Sequence, residues 1–214
     1  MSPSIEAGLW VLVSLAAQPA VQWLWPHLKG RVGEWADLIE RTGPWLLAVG
    51  PLYLSLMTGA VLGSRVGLYG FGLEGSLLGA GTGLLMIAGL YAVVRYLPDR
   101  VQLPEPPAYE GVLLDEMRWA FYRGAAASWM DLFWLGGFFG WGLAVVEWLL
   151  RVRPWKDAAW REPELWEAPI RAAVSAGLYL ISRNVWLVIA LQLLLIWVWR
   201  FGRQRVEHDQ EAGS

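Results

Sequence analysis

The chain has no cysteine and only two histidines, His27 and His208. The first absence excludes disulfides, thiolate zinc sites, iron–sulfur clusters and a cysteine nucleophile. The second leaves no imidazole inside any apolar run, so a buried histidine-ligated metal or haem centre lacks its donors. No metal and no cofactor is therefore expected. Charge is scarce too. Asp, Glu, Lys and Arg make up 17% of the 214 residues, against roughly a quarter in soluble domains. A net charge of −2 makes no case for nucleic acid, which calls for a clustered basic surface. The N-terminus has no basic stretch of the kind that precedes a cleaved signal, and its apolar run continues to Trp25, which reads as a retained first span.

What remains is apolar. Hydrophobic residues make up 56% of the chain, with 16 tryptophans and a mean hydropathy of +0.39. Apolar runs lie at about 7–25, 45–63, 76–94, 111–130, 132–150, 169–182 and 185–199. Most approach the ~20 residues that cross a bilayer as a helix. The expectation is an all-α, polytopic transmembrane helical bundle of about seven spans. It occupies residues 1–200 as one domain, followed by a polar cytoplasmic tail at 201–214. Residues 26–44, 64–75, 95–110 and 151–169 read as interfacial loops, with a short surface helix at 33–41. Pro19 and Pro51 hint at interrupted helices. With all seven runs crossing and the N-terminus outside, 12 basic residues fall inside (Lys29, Arg31, Arg41, Arg95, Arg100, Arg151, Arg153, Lys156, Arg161, Arg200, Arg203 and Arg205). Only 2, Arg65 and Arg183, fall outside. That bias favours seven spans and sets the orientation, with the N-terminus outside and the C-terminus cytoplasmic. The expected location is a cell membrane, of the bacterial inner-membrane kind.

The fourth run, LLDEMRWAFYRGAAASWM, carries Asp115, Glu116, Arg118 and Arg123. Ionisable groups in a span are costly and should face the bundle interior or its cytoplasmic mouth. Asp115 and Arg118 are three apart on one side, and Glu116 and Arg123, seven apart, return to nearly the same face. The plainer alternative puts both carboxylates at the membrane surface, where they suit the positive end of the helix. Glu147 precedes Arg151 by four residues and reads as an anchoring pair at a span end. Glu74 and Asp131 are the other carboxylates beside apolar runs. Glycines four apart, Gly75, Gly79 and Gly83 and then Gly136 and Gly140, let helix backbones approach closely in lipid. Gly59 and Gly63 repeat the spacing at the end of the second run.

Three segments resemble the type II CAAX-processing and bacteriocin-protection (CPBP) family of intramembrane proteases. RWAFYRG, from Arg118 to Gly124, is similar to that family's first motif with Arg123 and Gly124 kept, but Arg118 and Trp119 occupy the two glutamate positions. FGWGL, from Phe139 to Leu143, resembles the second motif with leucine in place of histidine. SRNVWLVIALQLLLIW resembles the last helix, with Gln192 at the histidine position and Ile196 at the asparagine position. The likeness covers residues 111–200. It implies a multi-helix membrane protein, and in the family the glutamates and histidines are thought to activate water for peptide cleavage. Arg118, Trp119, Leu143 and Gln192 cannot act as such a base near neutral pH.

The expected function is that of a non-catalytic accessory or assembly subunit of a larger membrane complex, with respiratory or photosynthetic electron transfer as the setting. Its partners are membrane lipids and other membrane protein subunits. Two alternatives stand beside it: a protease using Asp115 or Glu116, and a small transporter whose Arg123 binds an anionic ligand. The orientation is directly testable. A C-terminal alkaline phosphatase fusion should be inactive and a C-terminal green fluorescent fusion bright, and the reverse pattern would invert every crossing.

Overall fold

The computed structural model describes residues 2–70, 72–96, 105–130, 132–152 and 163–212, and all of their regular structure is helical. The order is α1 (Pro3–Val32), a 3-10 turn (Gly33–Trp35), α2 (Ala36–Met57), α3 (Gly63–Val66), α4 (Leu73–Tyr96), α5 (Tyr109–Met130), α6 (Phe133–Val152), α7 (Pro163–Ser182) and α8 (Val185–Ala212). Asp131, Arg100, Arg153, Lys156 and Arg161 lie outside the described residues.

Contacts between helices fix their directions. Ser4 and Ser14 of α1 meet Trp129 and Tyr122 of α5, so these two run oppositely. Trp45 donates to Glu110 at 2.6 Å, and Val61, just past α2, packs on Gly124, so α2 runs with α5. On α6, Gly136 faces Ala127 and Gly140 faces Arg123, an antiparallel hairpin. Arg171 meets Asp115 and Tyr179 meets Arg123, so α7 runs with α5. On α4, Gly79 and Gly83 meet Leu187 and Leu191, so α4 runs with α8. The seven long helices therefore alternate in direction along the chain.

Among the described residues three helices are long and apolar enough to cross a membrane, at Pro3–Val21, Leu73–Val93 and Phe133–Arg151, and Val185–Phe201 is a shorter apolar helix. These are outer helices, with large residues such as Leu12, Leu85 and Phe138 exposed. By contrast α5 packs against α1, α2, α3, α6, α7 and α8. Thirteen of its 22 residues are buried, so protein rather than lipid surrounds its charges.

Several boundaries differ from the sequence reading. Residues 26–44 are no loop: α1 continues to Val32, and only the 3-10 turn separates it from α2. Pro19, Pro26, Pro44, Pro51 and Pro169 lie inside continuous helices, as happens where neighbouring helices compensate for the lost hydrogen bond. At the α1–α2 corner, Lys29 donates to Glu40 at 2.6 Å. This contact lifts the lysine above its ordinary pKa and holds the glutamate below the usual carboxylate value. The second apolar run is not helical to Gly63. Helix α2 ends at Met57, Gly59 adopts φ +74°, and the following segment folds back so that Val61 and Val66 are buried over Gly124. The polar tail continues α8 as far as Ala212.

The α7–α8 corner has its own local logic. Arg183 takes a left-handed φ of 50°, and Asn184 caps α8 by accepting from the Trp186 and Leu187 backbone N–H groups at 3.1 and 3.2 Å. Gly67 closes over this corner, its carbonyl accepting from Val185 N at 3.1 Å. At φ +83° a Cβ there would lie 2.7 Å from the Arg183 carbonyl oxygen, so only glycine fits.

Five of the seven glycines singled out by spacing lie against a neighbouring helix or corner: Gly75 and Gly79 on Ile181 and Ser182, Gly83 on Leu191, Gly136 on Ala127, and Gly140 on Arg123. The other two do not: Gly59 has nothing within 4 Å, and Gly63 meets only Tyr69 of its own segment, because the chain has already left α2 there. A Cβ at Gly136 would sit 2.5 Å from the Ala127 Cα, and backbone cannot move aside cheaply. Gly136→Val should therefore lower stability by about 1–3 kcal/mol in detergent unfolding assays. Gly142→Ala, with nothing within 4 Å, should be neutral or mildly stabilising.

Candidate functional site

The most polar part of the interior is a seam of ion pairs between α5, α6 and α7. Helical spacing supplies its short-range members. Asp115 and Arg118 pair at 2.6 Å one turn apart, Glu147 pairs with Arg151, and Glu167 accepts from Arg171 Nε at 2.6 Å. Tertiary packing supplies the rest. Arg118 reaches Glu147 across the α5–α6 interface at 3.0 Å, and Arg171 reaches Asp115 across α5–α7 at 2.7 Å. Arg151 lies 4.0 Å from the same aspartate. Asp115 is thus shared by three arginines from three helices.

Glu116, next to Asp115 on α5, and Arg123, about two turns further along the helix, form a second centre. Their side chains are 0% and 1% exposed and lie 3.6 Å apart. Ser175 bridges them, accepting from Arg123 at 2.7 Å and donating to Glu116 at 2.7 Å. The guanidinium also lies 4.7 Å from the centre of the Tyr179 ring, a favourable placement for a cation away from water. Gly140 packs on the Arg123 backbone from α6. In all, four carboxylates (Asp115, Glu116, Glu147, Glu167) meet four guanidinium groups (Arg118, Arg123, Arg151, Arg171).

The four residues singled out from the sequence, Asp115, Glu116, Arg118 and Arg123, come together here. Glu116 is fully buried and not at a wet surface. Glu147 is 1% exposed and belongs to the seam as well as pairing with Arg151. Arg171, Glu167, Ser175 and Tyr179 were missed. The four-residue spacing of Glu167 and Arg171 was a readable signal, whereas nothing local marks Ser175 or Tyr179 as partners of α5.

Positions that carry the protease resemblance also have definite surroundings. Trp119 lies beneath the Arg171 guanidinium at 5.2 Å. Gln192 donates to the Arg171 carbonyl at 3.3 Å. Leu143 packs against the main core cluster, and Ile196 is buried. Family models, curated proteins and solved structures give no match to this chain. Among the described residues no three His, Cys, Asp or Glu side chains converge as a metal site would require.

Chemically, each carboxylate of the seam is bound to at least one guanidinium, which holds it as a fixed counter-ion. Losing one partner of the deep pair strands a buried charge, whereas losing both removes the need for either. Arg123→Leu alone should therefore destabilise by about 3–5 kcal/mol. Glu116→Leu combined with Arg123→Leu should recover most of that loss. Melting temperatures of the purified single and double variants measure the difference.

Proposed function

We propose that this chain is a seven-span, non-catalytic membrane protein that serves as an accessory or assembly subunit, a degenerate relative of the CPBP proteases. The observation that carries the non-catalytic reading is the clasp around Glu116. Glu116, two residues before the first missing catalytic position, is held by Arg123 and Ser175 with no exposed surface. A general base needs reach to a substrate proton as well as a suitable pKa. Arg118 at a glutamate position and Gln192 at a histidine position act in structural contacts instead. The alternation of the long helices supports seven crossings. The ends of α1, α4, α6 and α8 that carry Lys29, Arg31, Arg95, Arg151 and Arg200 share one face with Arg41, and Arg65 and Arg183 sit on the other. That asymmetry supports an outside N-terminus and a cytoplasmic C-terminus.

The transporter alternative loses its proposed anion site, because Arg123 is enclosed and already paired. The accessory role rests on an interior whose charges are committed to ion pairs between helices and on outer helices whose exposed faces are available to neighbours. Purification in a mild detergent from native membranes should recover stoichiometric partner subunits, and haem or pigment absorbance among them would place the complex in electron transfer. A monodisperse monomer would contradict the accessory role, and cleavage of a membrane substrate that is abolished by Asp115→Ala with Glu116→Ala would revive the protease.

A further inference from the structure

A half-open cleft of about 380 Å³ lies between α4, α7 and α8, walled by Leu90, Val174 and Leu195. Met86 and Ile170, at its rim, are 42% and 60% exposed, so it opens sideways on the outer surface of the bundle. In a membrane that surface faces acyl chains.

The inner lining is polar and incompletely satisfied. Arg171 and Gln192 both line the cleft and are 6% and 1% exposed. Arg171 spends Nη2 on Asp115 and Nε on Glu167, while its Nη1 has no hydrogen-bond partner among the described residues. Gln192 spends Nε2 on the Arg171 carbonyl, while its Oε1 has none. Trp199, also in the lining, has an unpartnered Nε1. Two donors and one acceptor are thus left over beside one apolar cavity, where unmatched polar atoms are costly.

Charge narrows the occupant. Arg171 is already neutralised by two carboxylates, and Glu167 itself lines the cleft. An anionic head would meet that carboxylate without gaining an unmatched cation. A neutral group that both accepts and donates satisfies the leftover atoms, and a hydroxyl does so in one atom. We propose that this cleft binds the head of a neutral acylglycerol lipid. Its hydroxyl accepts from Arg171 Nη1 and donates to Gln192 Oε1, and its ester carbonyl accepts from Trp199 Nε1. Its chain runs along Leu90, Val174 and Leu195 and leaves past Met86 and Ile170 into the bilayer. The volume falls in the usual range for small-ligand sites. The idea requires the chain to lie in a membrane but not the accessory role, so partner recovery and lipid binding can fail separately.

The test uses the full chain in detergent and a monoacylglycerol with a diazirine in its acyl chain, with labelled peptides mapped by mass spectrometry. Labelling should concentrate on α4, α7 and α8 at the cleft. It should fall about tenfold in Gln192→Leu, the effect of losing one good buried hydrogen bond, and similarly in Val174→Trp, which fills the cavity. Size-exclusion elution checks that both variants remain folded. On the wild-type chain, independent of any variant, unlabelled mono-oleoylglycerol should compete, whereas oleate and methyl oleate should not. Equal labelling of wild type and folded variants, labelling spread over the exposed faces of α1 and α6, or equal competition by oleate would each overturn the proposal.

Discussion

The arrangement of this protein depends on keeping three buried arginines, Arg118, Arg123 and Arg171, neutralised, with the half-buried Arg151 beside them. A guanidinium inside a bundle is tolerable only beside a carboxylate, and the carboxylates within reach sit on three different helices. Meeting that condition fixes the register of α5 against α6 and α7. Asp115 must stand level with Arg151 and Arg171, and Glu116 and Arg123 must stand level with Ser175. A slip of one turn along α7 would separate both sets. Apolar surface gives helices little reason to prefer one register in lipid, so a polar seam of this kind can specify it.

Glycine makes the seam possible at close range. Arg123 lies under Gly140, and the neighbouring contact of Gly136 with Ala127 brings the α5 and α6 backbones together. The short side chains of Ala125, Ala126 and Ala127 give α5 a smooth face there, and all three are buried. On the opposite side, Gly75, Gly79 and Gly83 let α4 lie along the α7–α8 hairpin. The same α4 placement leaves the lateral cleft beside Arg171 and Gln192.

The two polar regions differ in what remains for them to do. In the seam every charged side chain has a partner of opposite sign, so its groups are committed to holding helices. At the edge of the seam, Arg171 has more donors than its carboxylate partners use, and Gln192 has a spare acceptor. Structural and ligand-directed roles therefore meet on one residue, Arg171, which faces Asp115 inward and the cleft outward.

The sequence by itself determined what the 3.6-residue helical repeat can determine. Composition marked the chain as membrane helices, a spacing of three placed Asp115 beside Arg118, and a spacing of seven placed Glu116 within reach of Arg123. Glycines every four residues marked close-packed faces. Tertiary structure alone decided that Arg171, Ser175 and Tyr179 complete the seam, that prolines at 19, 26, 44 and 51 leave their helices continuous, and that the segment after Met57 folds back over Gly124. The division has a physical cause. Neighbours along one helix are set by its own geometry, whereas neighbours on different helices are set by how several surfaces and charges satisfy one another at once, and no local spacing carries that information.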